Sequence, residues 1–375
     1  MTPVSPATPR ILVVSMRGHR FQAANTIQYE FEDFLCRHLG ATLCAPVAEP
    51  SMSRRRWRLA RYLGASDVTA SRFARVPAAH ASADRYDLTI VVADNPYQLH
   101  ALAQVDGWQH RTGTRVGYIT ELWPPMLASW RMRREPLSLY DAFLIGSGGG
   151  HDELARVSGR PTGFIPLAVD TDRFVPSDPA AERPIDAIYV GRRLPVVHAG
   201  AMGWATRHDR LYFHDTARSQ PLQVDDPAAH RRLYASLLKR ARYSFAFPAK
   251  LDKRQETGGV SEIGARYYEL SAAGVTILGR RPDVAHFDTL FGHTDAVIDF
   301  DPDRDDPGSV LDALEREPAR RTAIAVHGAA NALRQHDWSH RIAAMFAFIG
   351  TPVPEAVEAR IAALAHRADA LSPPA

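Results

Sequence analysis

Two oppositely charged side chains, Arg266 and Glu269, lie three residues apart in a segment whose apolar spacing predicts a helix. At that spacing the two side chains share one face of the helix. The pair Gly258-Gly259 and a possible N-cap residue, Ser261, precede it. A flexible loop, the free N–H groups of a helix N-terminus and a nearby guanidinium all favour an anion. We therefore expect this segment to bind a phosphate-bearing ligand.

Further cations stand where two other predicted strands end. Arg192 follows Gly191 directly after one apolar run, and Lys250 or its neighbour Lys253 follows another. A guanidinium offers a planar fork that matches phosphate oxygens, whereas an ammonium acts as a point charge. Arg192 and Lys250 are therefore candidates for a second contact with the same anion, although each could equally be a solvated surface residue.

Strands and helices alternate along the whole chain. Apolar runs predict strands at Ile11–Ser15, Ala41–Ala45, Leu88–Ala93, Arg115–Thr120, Ala142–Gly146, Ile185–Val190, Tyr243–Phe247, Val275–Leu278 and Ala296–Phe300. Helical spacing predicts helices at Asn25–Leu39, Tyr97–Val105, Ala228–Arg240, Ser261–Ala273, Val310–Glu315, Ala319–Gln335, Ser339–Phe348 and Glu355–Leu371. The alternation indicates an α/β fold of two doubly wound parallel sheets facing a cleft, joined near Pro166–Pro184. Ligands of such sheets bind beyond the carboxyl ends of the strands.

Composition excludes several classes of protein. A chain of 375 residues favours two domains, and its formal net charge of +3 gives no general affinity for nucleic acid. The two cysteines, Cys36 and Cys44, exclude a disulfide scaffold and a cysteine-rich zinc site. We expect no metal site, because H-E-x-x-H is missing and the acidic run 299–306 does not have the spacing of an EF-hand. No P-loop and no G-x-G-x-x-G sequence is present.

The N-terminal residues Met1–Pro9 lack the basic and apolar regions of a signal peptide, and no apolar run is long enough to cross a bilayer. We therefore expect a cytoplasmic protein. Arginines are concentrated with aromatic residues in the segment Arg54–Arg75. Such a segment could lie against an anionic membrane surface, which would make the protein peripheral at the inner membrane face, or it could be a solvated loop.

Three segments of the second half resemble the GT-B glycosyltransferases, specifically the nucleotide-sugar-dependent retaining group with two glutamates. Ile165–Phe174 is similar to the linker that enters the C-terminal domain, Ile188–Arg192 to the first strand and glycine turn of that domain, and Ser261–Leu278 to the donor-binding helix and strand. His336–Arg341 resembles the start of a late helix of the family. The resemblance covers roughly residues 165–350, while the N-terminal half matches only in its alternation of strands and helices.

The resemblance implies three parts for the chain. Residues 1–165 would form an acceptor-binding Rossmann-like domain, and residues 166–350 a nucleotide-sugar-binding Rossmann-like domain. Residues 351–375 would form a C-terminal helix that packs back toward the first domain. The implied activity is transfer of a sugar from a nucleoside diphosphate sugar to a hydroxyl acceptor, which could be a glycan, a lipid-linked glycan or a small molecule. No cofactor is implied, because the sugar nucleotide is a substrate.

Site roles follow from the same resemblance. Glu269 would accept hydrogen bonds from the ribose hydroxyls, and Arg266 with Lys250 would hold the diphosphate. The donor site would also include Gly191, Arg192, Ser261, Glu262 and Gly264. In the first domain Gly18 and His19 lie in the first strand-to-helix loop, where His19 could contact the acceptor or a phosphate. Glu121, or Asp94, would be the base if the reaction inverted the anomeric centre.

The sequence departs from the family at one position. Counting back seven residues from Glu269 puts the first glutamate of the pair at Ser261, which carries no carboxylate, with Glu262 one position later and Gly264 in register. Glu262 could substitute through a shifted loop, or Arg266 and Glu269 could suffice. Two alternatives therefore stay open: a sugar-nucleotide epimerase, and a catalytically silent GT-B-like subunit that binds a partner.

Overall fold

The structure is a computed structural model that describes residues 9–15, 17, 23–45, 56, 59, 85–105, 107–130, 135–216, 224 and 226–371. The chain forms two compact units, each assembled from three stretches of sequence. The N-terminal unit comprises Met1–Pro166, Arg254–Val260 and Arg341–Ala359, and the C-terminal unit comprises Leu167–Lys253, Ser261–His340 and Arg360–Ala375.

Eleven strands are present in the described residues. They are β1 (Ile11–Ser15), β2 (Thr42–Cys44), β3 (Tyr86–Ala93), β4 (Thr112–Ile119), β5 (Ala142–Ile145), β6 (Thr162–Phe164), β7 (Ile185–Ile188), β8 (Tyr212–Phe213), β9 (Ala241–Ala246), β10 (Thr276–Gly279) and β11 (Ile298–Asp299). The first six form one sheet in the order β2-β1-β3-β4-β5-β6, and the last five form another in the order β11-β10-β9-β7-β8. Every pairing in both sheets is parallel.

The described α-helices connect these strands. They are α1 (Thr26–Leu39), α2 (Trp108–Arg111), α3 (Pro124–Trp130), α4 (His151–Ser158), α5 (Thr171–Phe174), α6 (Pro195–His208), α7 (Pro227–Leu238), α8 (Arg254–Thr257), α9 (Ala265–Ala272), α10 (Phe287–Phe291), α11 (Pro307–Glu315), α12 (Pro318–Gln335), α13 (Trp338–Phe348) and α14 (Glu355–Leu371). Short 3-10 helices occupy Ala23–Asn25, Pro96–Gln104 and Glu135–Leu139.

The sheet of the N-terminal unit is buried because its strands are apolar on both faces. All five residues of β1 are buried, as a parallel sheet covered on both sides requires. Leu12 and Val14 pack in one core cluster with Val91 from β3 and Phe143 from β5. Because these strands are parallel, the carboxyl ends of β1, β3 and β4 lie on the same side of the sheet.

The C-terminal unit has its own core. Tyr189, just after β7, packs with Tyr243 and Phe245 of β9 and with Trp204 of α6. In this sheet β7 lies between β8 and β9, so the chain runs outward from β7 in both directions. The carboxyl ends of β7 and β9 therefore flank the point where the winding reverses, which is where open α/β sheets bind ligands.

The α/β fold class is confirmed, and each predicted strand is present with its bounds shifted by a few residues. One predicted helix start was wrong. The helix expected from Ser261 begins at Ala265, with Gly264 as its N-cap. The stretch before it is held in a non-helical loop, because the N–H of Ala249 donates to the carbonyl of Glu262 at 3.0 Å. The 14-residue helix α6, the short helix α4 and the edge strands β6 and β8 were not predicted.

None of the helices that the structure describes combines the length and apolar character that a bilayer-spanning segment needs.

Candidate functional site

A cavity of about 200 Å³ lies at the reversal point of the C-terminal sheet. Three segments line it: Tyr189 and Arg192–Leu194 after β7, Phe247–Asp252 after β9, and Gly264–Arg266 at the start of α9. Of the residues expected from the sequence, Arg192, Lys250, Gly264 and Arg266 line this cavity. The structure thus brings the three expected basic side chains, from separate segments, to one place.

The turn after β7 is fixed by hydrogen bonds on every side. Gly191 has a φ of +76°, a conformation that favours glycine. The carboxylate of Asp215 accepts from the N–H of Gly191 at 3.0 Å and also pairs with Arg193. The hydroxyl of Tyr189 accepts from the N–H of Leu194 at 3.2 Å. The turn is therefore held in one shape before any ligand arrives, which lowers the ordering cost of binding.

Arg266 reaches this turn from the first turn of α9. Its Nη2 donates to the carbonyl of Val190 at 2.7 Å and its Nη1 to that of Arg192 at 3.3 Å. The guanidinium also lies 5.4 Å from the ring centroid of Tyr189. Burial alone would lower the pKa of Arg266, but the neighbouring Tyr234, Tyr189 and Glu269 raise it above its ordinary value. The guanidinium therefore stays charged at the cavity wall while it shapes the turn.

Glu269 lies one turn further along α9 and is buried, with an exposed fraction of 6%. Its carboxylate forms an ion pair with Arg231 of α7, which is 2% exposed. The Arg231 guanidinium lies 4.5 Å from the ring centroid of Phe174, and Tyr234 of α7 helps to raise the pKa of Arg266. Glu269 is not among the residues that line the cavity. Its expected contact with a ribose stays a prediction.

Arg231 was not predicted as a site residue, although the sequence carries a signal for it. Arg231, Ala235 and Leu238 follow one another at helical spacing, and all three are buried in α7. A basic residue on an apolar helix face requires a buried partner. The acidic residue Glu269, on the next predicted helix, is the candidate partner that this rule indicates.

Ser261 and Glu262 lie in the loop before α9, and neither lines the cavity. Glu262 is 3% exposed, and its Oε1 accepts from the N–H of Ile263 at 2.8 Å and lies 2.9 Å from His286 Nε2. The carboxylate expected to replace a missing glutamate is thus directed at His286 beside α10.

Lys250 and Arg192 approach the cavity from different loops. Lys250 adopts a φ of +55°, which is uncommon for a residue other than glycine. Arg192 is exposed and pairs with Asp252, so one ion pair joins the loop after β7 to the loop after β9. Lys253, the other candidate lysine, is exposed and is not among the lining residues.

The candidate residues of the N-terminal unit are only partly described. Glu121 follows β4, and its carboxylate accepts a hydrogen bond from the indole N–H of the buried Trp123. Asp94 accepts from the side chain of Asn25 at 3.2 Å. Gly18 and His19 lie outside the described residues, as does the segment Arg54–Arg75 except Arg56 and Leu59. Within the described part of the chain, no group of three or more His, Cys, Asp or Glu side chains could hold a metal ion.

Residues 186–347 match a protein family described as glycosyl transferase-like. That stretch contains every residue that lines the cavity. The chain has the GT-B fold, and its residues 186–347 are similar to glycosyl transferases. The family match and the fold confirm the resemblance seen in the sequence.

Solved structures with the same fold include two UDP-forming α,α-trehalose-phosphate synthases. The one from Burkholderia xenovorans is 11% identical, with a TM-score of 0.54 over 91% of this chain and 99% of that chain. The one from Burkholderia vietnamiensis is 13% identical, with a TM-score of 0.53 over 94% and 99%. An α-glucosyltransferase solved with UDP and a 13-mer DNA is 11% identical, with a TM-score of 0.52 over 92% and 100%. No curated protein sequence matches the GT-B chain significantly.

Proposed function

We propose that the chain is a glycosyltransferase that moves a sugar, of the hexosyl type, from a nucleoside diphosphate sugar to a hydroxyl acceptor. The observation that carries the proposal is the cavity at the carboxyl ends of β7 and β9, lined by Arg192, Lys250 and Arg266. It lies within the region that matches the glycosyl transferase-like family.

The three cations supply the chemistry that sugar transfer needs. As the bond between the sugar and the diphosphate breaks, negative charge accumulates on the leaving phosphate oxygens. Positively charged groups fixed near those oxygens stabilise that charge, and they act without a metal ion. In this proposal Arg266 and Lys250 hold the diphosphate, and Arg192 lies at the rim, where it is paired with Asp252.

The nucleoside would extend along the turn after β7. The held turn at Gly191 offers a fixed backbone surface for the base, and Glu269 would accept from the ribose hydroxyls while Arg231 holds its carboxylate in place. Two of the similar structures are named as UDP-forming and a third contains UDP. Uridine diphosphate is therefore the nucleotide to test first.

The acceptor belongs to the N-terminal unit in this proposal. Candidates for its recognition are His19 and Glu121, and the basic segment Arg54–Arg75 would bring the enzyme to a lipid-linked acceptor at an anionic membrane. If the reaction proceeds with retention, the leaving phosphate can take the acceptor proton and no separate base is needed. A glycan of a polysaccharide or glycolipid pathway is the acceptor class in this proposal.

The first experiment is a calorimetric titration with UDP, GDP, ADP and their glucose conjugates, with and without Mg²⁺. We expect one nucleotide to bind without metal, and Lys250→Gln to weaken that binding by about tenfold, the worth of one charge-assisted contact. Lys253→Gln is the matched control, because Lys253 is exposed in the same loop and does not line the cavity. Equal losses in both variants would contradict the assignment of Lys250.

Turnover separates the remaining alternatives. A transferase releases nucleotide from the preferred sugar donor faster when an acceptor is supplied. An epimerase consumes or isomerises the donor with no acceptor present. If none of the nucleotides tested binds, the transferase proposal is overturned and a catalytically silent subunit is favoured.

A further inference from the structure

A second cavity of the C-terminal unit, of about 230 Å³, lies at the amino ends of the strands of the same sheet, opposite the proposed nucleotide site. It is lined by residues just before β7, at the starts of β9 and β10 and in the first two turns of α12. Its polar lining includes Arg183, Arg242, Arg321, Thr276, Thr322 and Glu182. Because β7, β9 and β10 are parallel, their starts and their ends lie at opposite edges, so this cavity is separate from the proposed nucleotide site.

Arg183 is a buried cation held by backbone carbonyls. Its exposed fraction is 8%, and its Nη1 donates to the carbonyls of Ala241 and Ala273 at 2.9 Å each. Its Nη2 donates to the carbonyl of Pro179 at 3.1 Å. Among the residues that the structure describes, no acid lies within ion-pair distance of it. Burial lowers the pKa of Arg183 to about 10, with Asp178 opposing that effect, so it is still charged at neutral pH. A buried charge held only by neutral dipoles is costly, and a nearby anion would offset that cost.

The other two arginines also leave positive charge uncompensated. Arg242, Arg321 and the neighbouring Arg210 share the two carboxylates of Asp186 and Glu315. Three guanidinium groups therefore face two acids. The Nε of Arg242 is a buried donor with no hydrogen-bond partner.

The N-terminus of α12 adds unsatisfied donors at the same place. This helix of 18 residues has Glu317 as its N-cap, and no side chain caps its first N–H groups. A long helix presents partial positive charge at this end. Thr322, in the first turns of the helix, carries an exposed hydroxyl that lines the cavity.

We propose that this cavity binds a phosphate-bearing small molecule, with Arg183, Arg242 and Arg321 around the phosphate. Guanidinium forks and helix N–H groups match the several oxygens of a phosphate, and the volume exceeds what a phosphate group alone fills. The exposed Glu182 at the rim would repel additional negative charge on the rest of the molecule. The site does not depend on nucleotide binding at the other edge of the sheet.

The test uses inorganic phosphate as the probe and the variant Thr322→Glu, which places a carboxylate among the arginines. Since Thr322 is exposed on a helix, both Thr322→Glu and the neutral control Thr322→Gln should fold. Each is made in a Lys250→Gln background, so that phosphate at the nucleotide cavity contributes less. We expect saturable phosphate binding by calorimetry in the Thr322→Gln protein, and a loss of about tenfold or more in Thr322→Glu.

A selenate soak of crystals locates the anion directly by its anomalous scattering. Anomalous density beside Arg183 and Arg321 supports the site. Equal phosphate affinity in the glutamate and glutamine variants, or no saturable binding in either, overturns it. Because the readout is phosphate binding at the edge away from Lys250, a failure of the nucleotide titration would leave this result unaffected.

Discussion

At the residue scale, the orientation of the Glu269 carboxylate is fixed by its ion-pair partner, Arg231. Arg231 holds it in a buried ion pair between α7 and α9, and the same two helices bring Tyr234 to Arg266. A buried pair of this kind costs desolvation but positions its members rigidly. Arg231 is therefore a positioning residue for the donor site, one step behind the side chains that would contact the nucleotide.

Replacing Arg231 by methionine should destabilise the protein by about 3–5 kcal/mol, because it leaves the Glu269 charge buried without a partner. The free energy of unfolding is measured by urea denaturation. Arg232→Met is the matched control, since Arg232 is exposed on the same helix and its loss should cost less than about 0.5 kcal/mol. Equal costs for the two variants would contradict the role of Arg231. The double variant Arg231→Met with Glu269→Gln should recover part of the loss.

The burial of Glu32 in α1 predicts an unusual dependence of the N-terminal unit's stability on pH. It is fully buried, its Oε1 accepts from the Ser15 hydroxyl at 2.7 Å, and Arg17 lies 3.8 Å from its Oε2. Burial raises the pKa of Glu32 from 4.5 to about 8, although Arg17 and Ser15 lower it. Because the folded protein holds this proton and the unfolded chain releases it, stability should fall as the pH rises from about 4.5 to about 8.

Glu32→Gln should remove that decline. The variant keeps the shape of the neutral acid and cannot ionise, so its stability advantage over the wild type should grow across this pH range, reaching on the order of 2–4 kcal/mol at pH 9. Chemical denaturation at several pH values measures the difference. Parallel stability curves for wild type and variant would show that Glu32 does not titrate on unfolding.

At the element scale, Asp337 joins three elements of the C-terminal unit. It lies between α12 and α13, and its carboxylate accepts from the N–H of Thr171 at 3.1 Å and of Ser339 at 3.0 Å. Arg360 of α14 donates to both of its oxygens, at 2.9 and 2.8 Å. Burial alone would raise the pKa of Asp337, but Arg360 and the hydroxyls of Thr171 and Ser339 lower it to about 2.

Asp337→Asn should destabilise the unit by about 2–4 kcal/mol at neutral pH, because the buried charge pair with Arg360 is lost. The folded pKa lies below the ordinary value, so the contribution is complete above about pH 4 and is lost as the pH falls toward 2. The stability gap between wild type and variant should therefore close over that range in denaturation experiments. Asp172→Asn, which removes an exposed partner of the same Arg360, should change stability by less than about 1 kcal/mol. A gap independent of pH would contradict the assignment.

The strands were predictable because a parallel sheet that is buried on both faces needs strands that are apolar throughout. Short continuous apolar runs such as Ile11–Ser15 therefore indicate its strands directly. Helix α6 was missed because small residues interrupt the apolar pattern of its buried face, where Ala201 and Ala205 alternate with Val197 and Trp204. Gly200 lies so close to Pro307 of α11 that an added Cβ would come within 2.8 Å of it. The sequence therefore showed glycines and alanines where a helix usually shows leucines.

The basic residues of the candidate site could be predicted from the sequence, but the residues that hold them and the turn in place could not. Arg192, Lys250 and Arg266 could be placed because each follows or precedes a strand whose end is fixed by topology. Asp215, which holds the turn at Gly191, follows the two-residue strand β8, too short to be found by periodicity. Contacts between elements far apart in sequence cannot be read from local patterns.

At the scale of the whole molecule, the two units do not divide the chain at one point. Residues 254–260 and 341–359 belong to the N-terminal unit, although they are surrounded in sequence by the C-terminal unit. Within the N-terminal unit, Arg341 Nε donates to the carbonyl of Pro166 at 3.0 Å. Phe348 lies where a Cβ on Gly163 of β6 would contact its ring. The late segment thus covers the edge of the first sheet.

A fragment of residues 1–166 should accordingly unfold at lower urea than a chain in which residues 341–359 follow residue 166 through a flexible Gly/Ser linker. The expected difference is about 1–2 kcal/mol, the worth of partly burying one aromatic side chain and forming one hydrogen bond, because Phe348 stays 38% exposed. Phe348→Ala in the linked chain is the control and should lose part of the gain. Indistinguishable unfolding of the fragment and the linked chain would contradict the packing.

The interleaved units also set an order of events during synthesis. A ribosome delivers the chain from residue 1 onward, and domains commonly fold as they emerge. Here the first sheet is complete long before its edge is covered, because the covering residues 341–359 are translated after nearly all of the second sheet. The nascent N-terminal unit therefore waits for nearly half of the chain's translation with the edge strand β6 uncovered, and a chaperone could bind that edge during this interval.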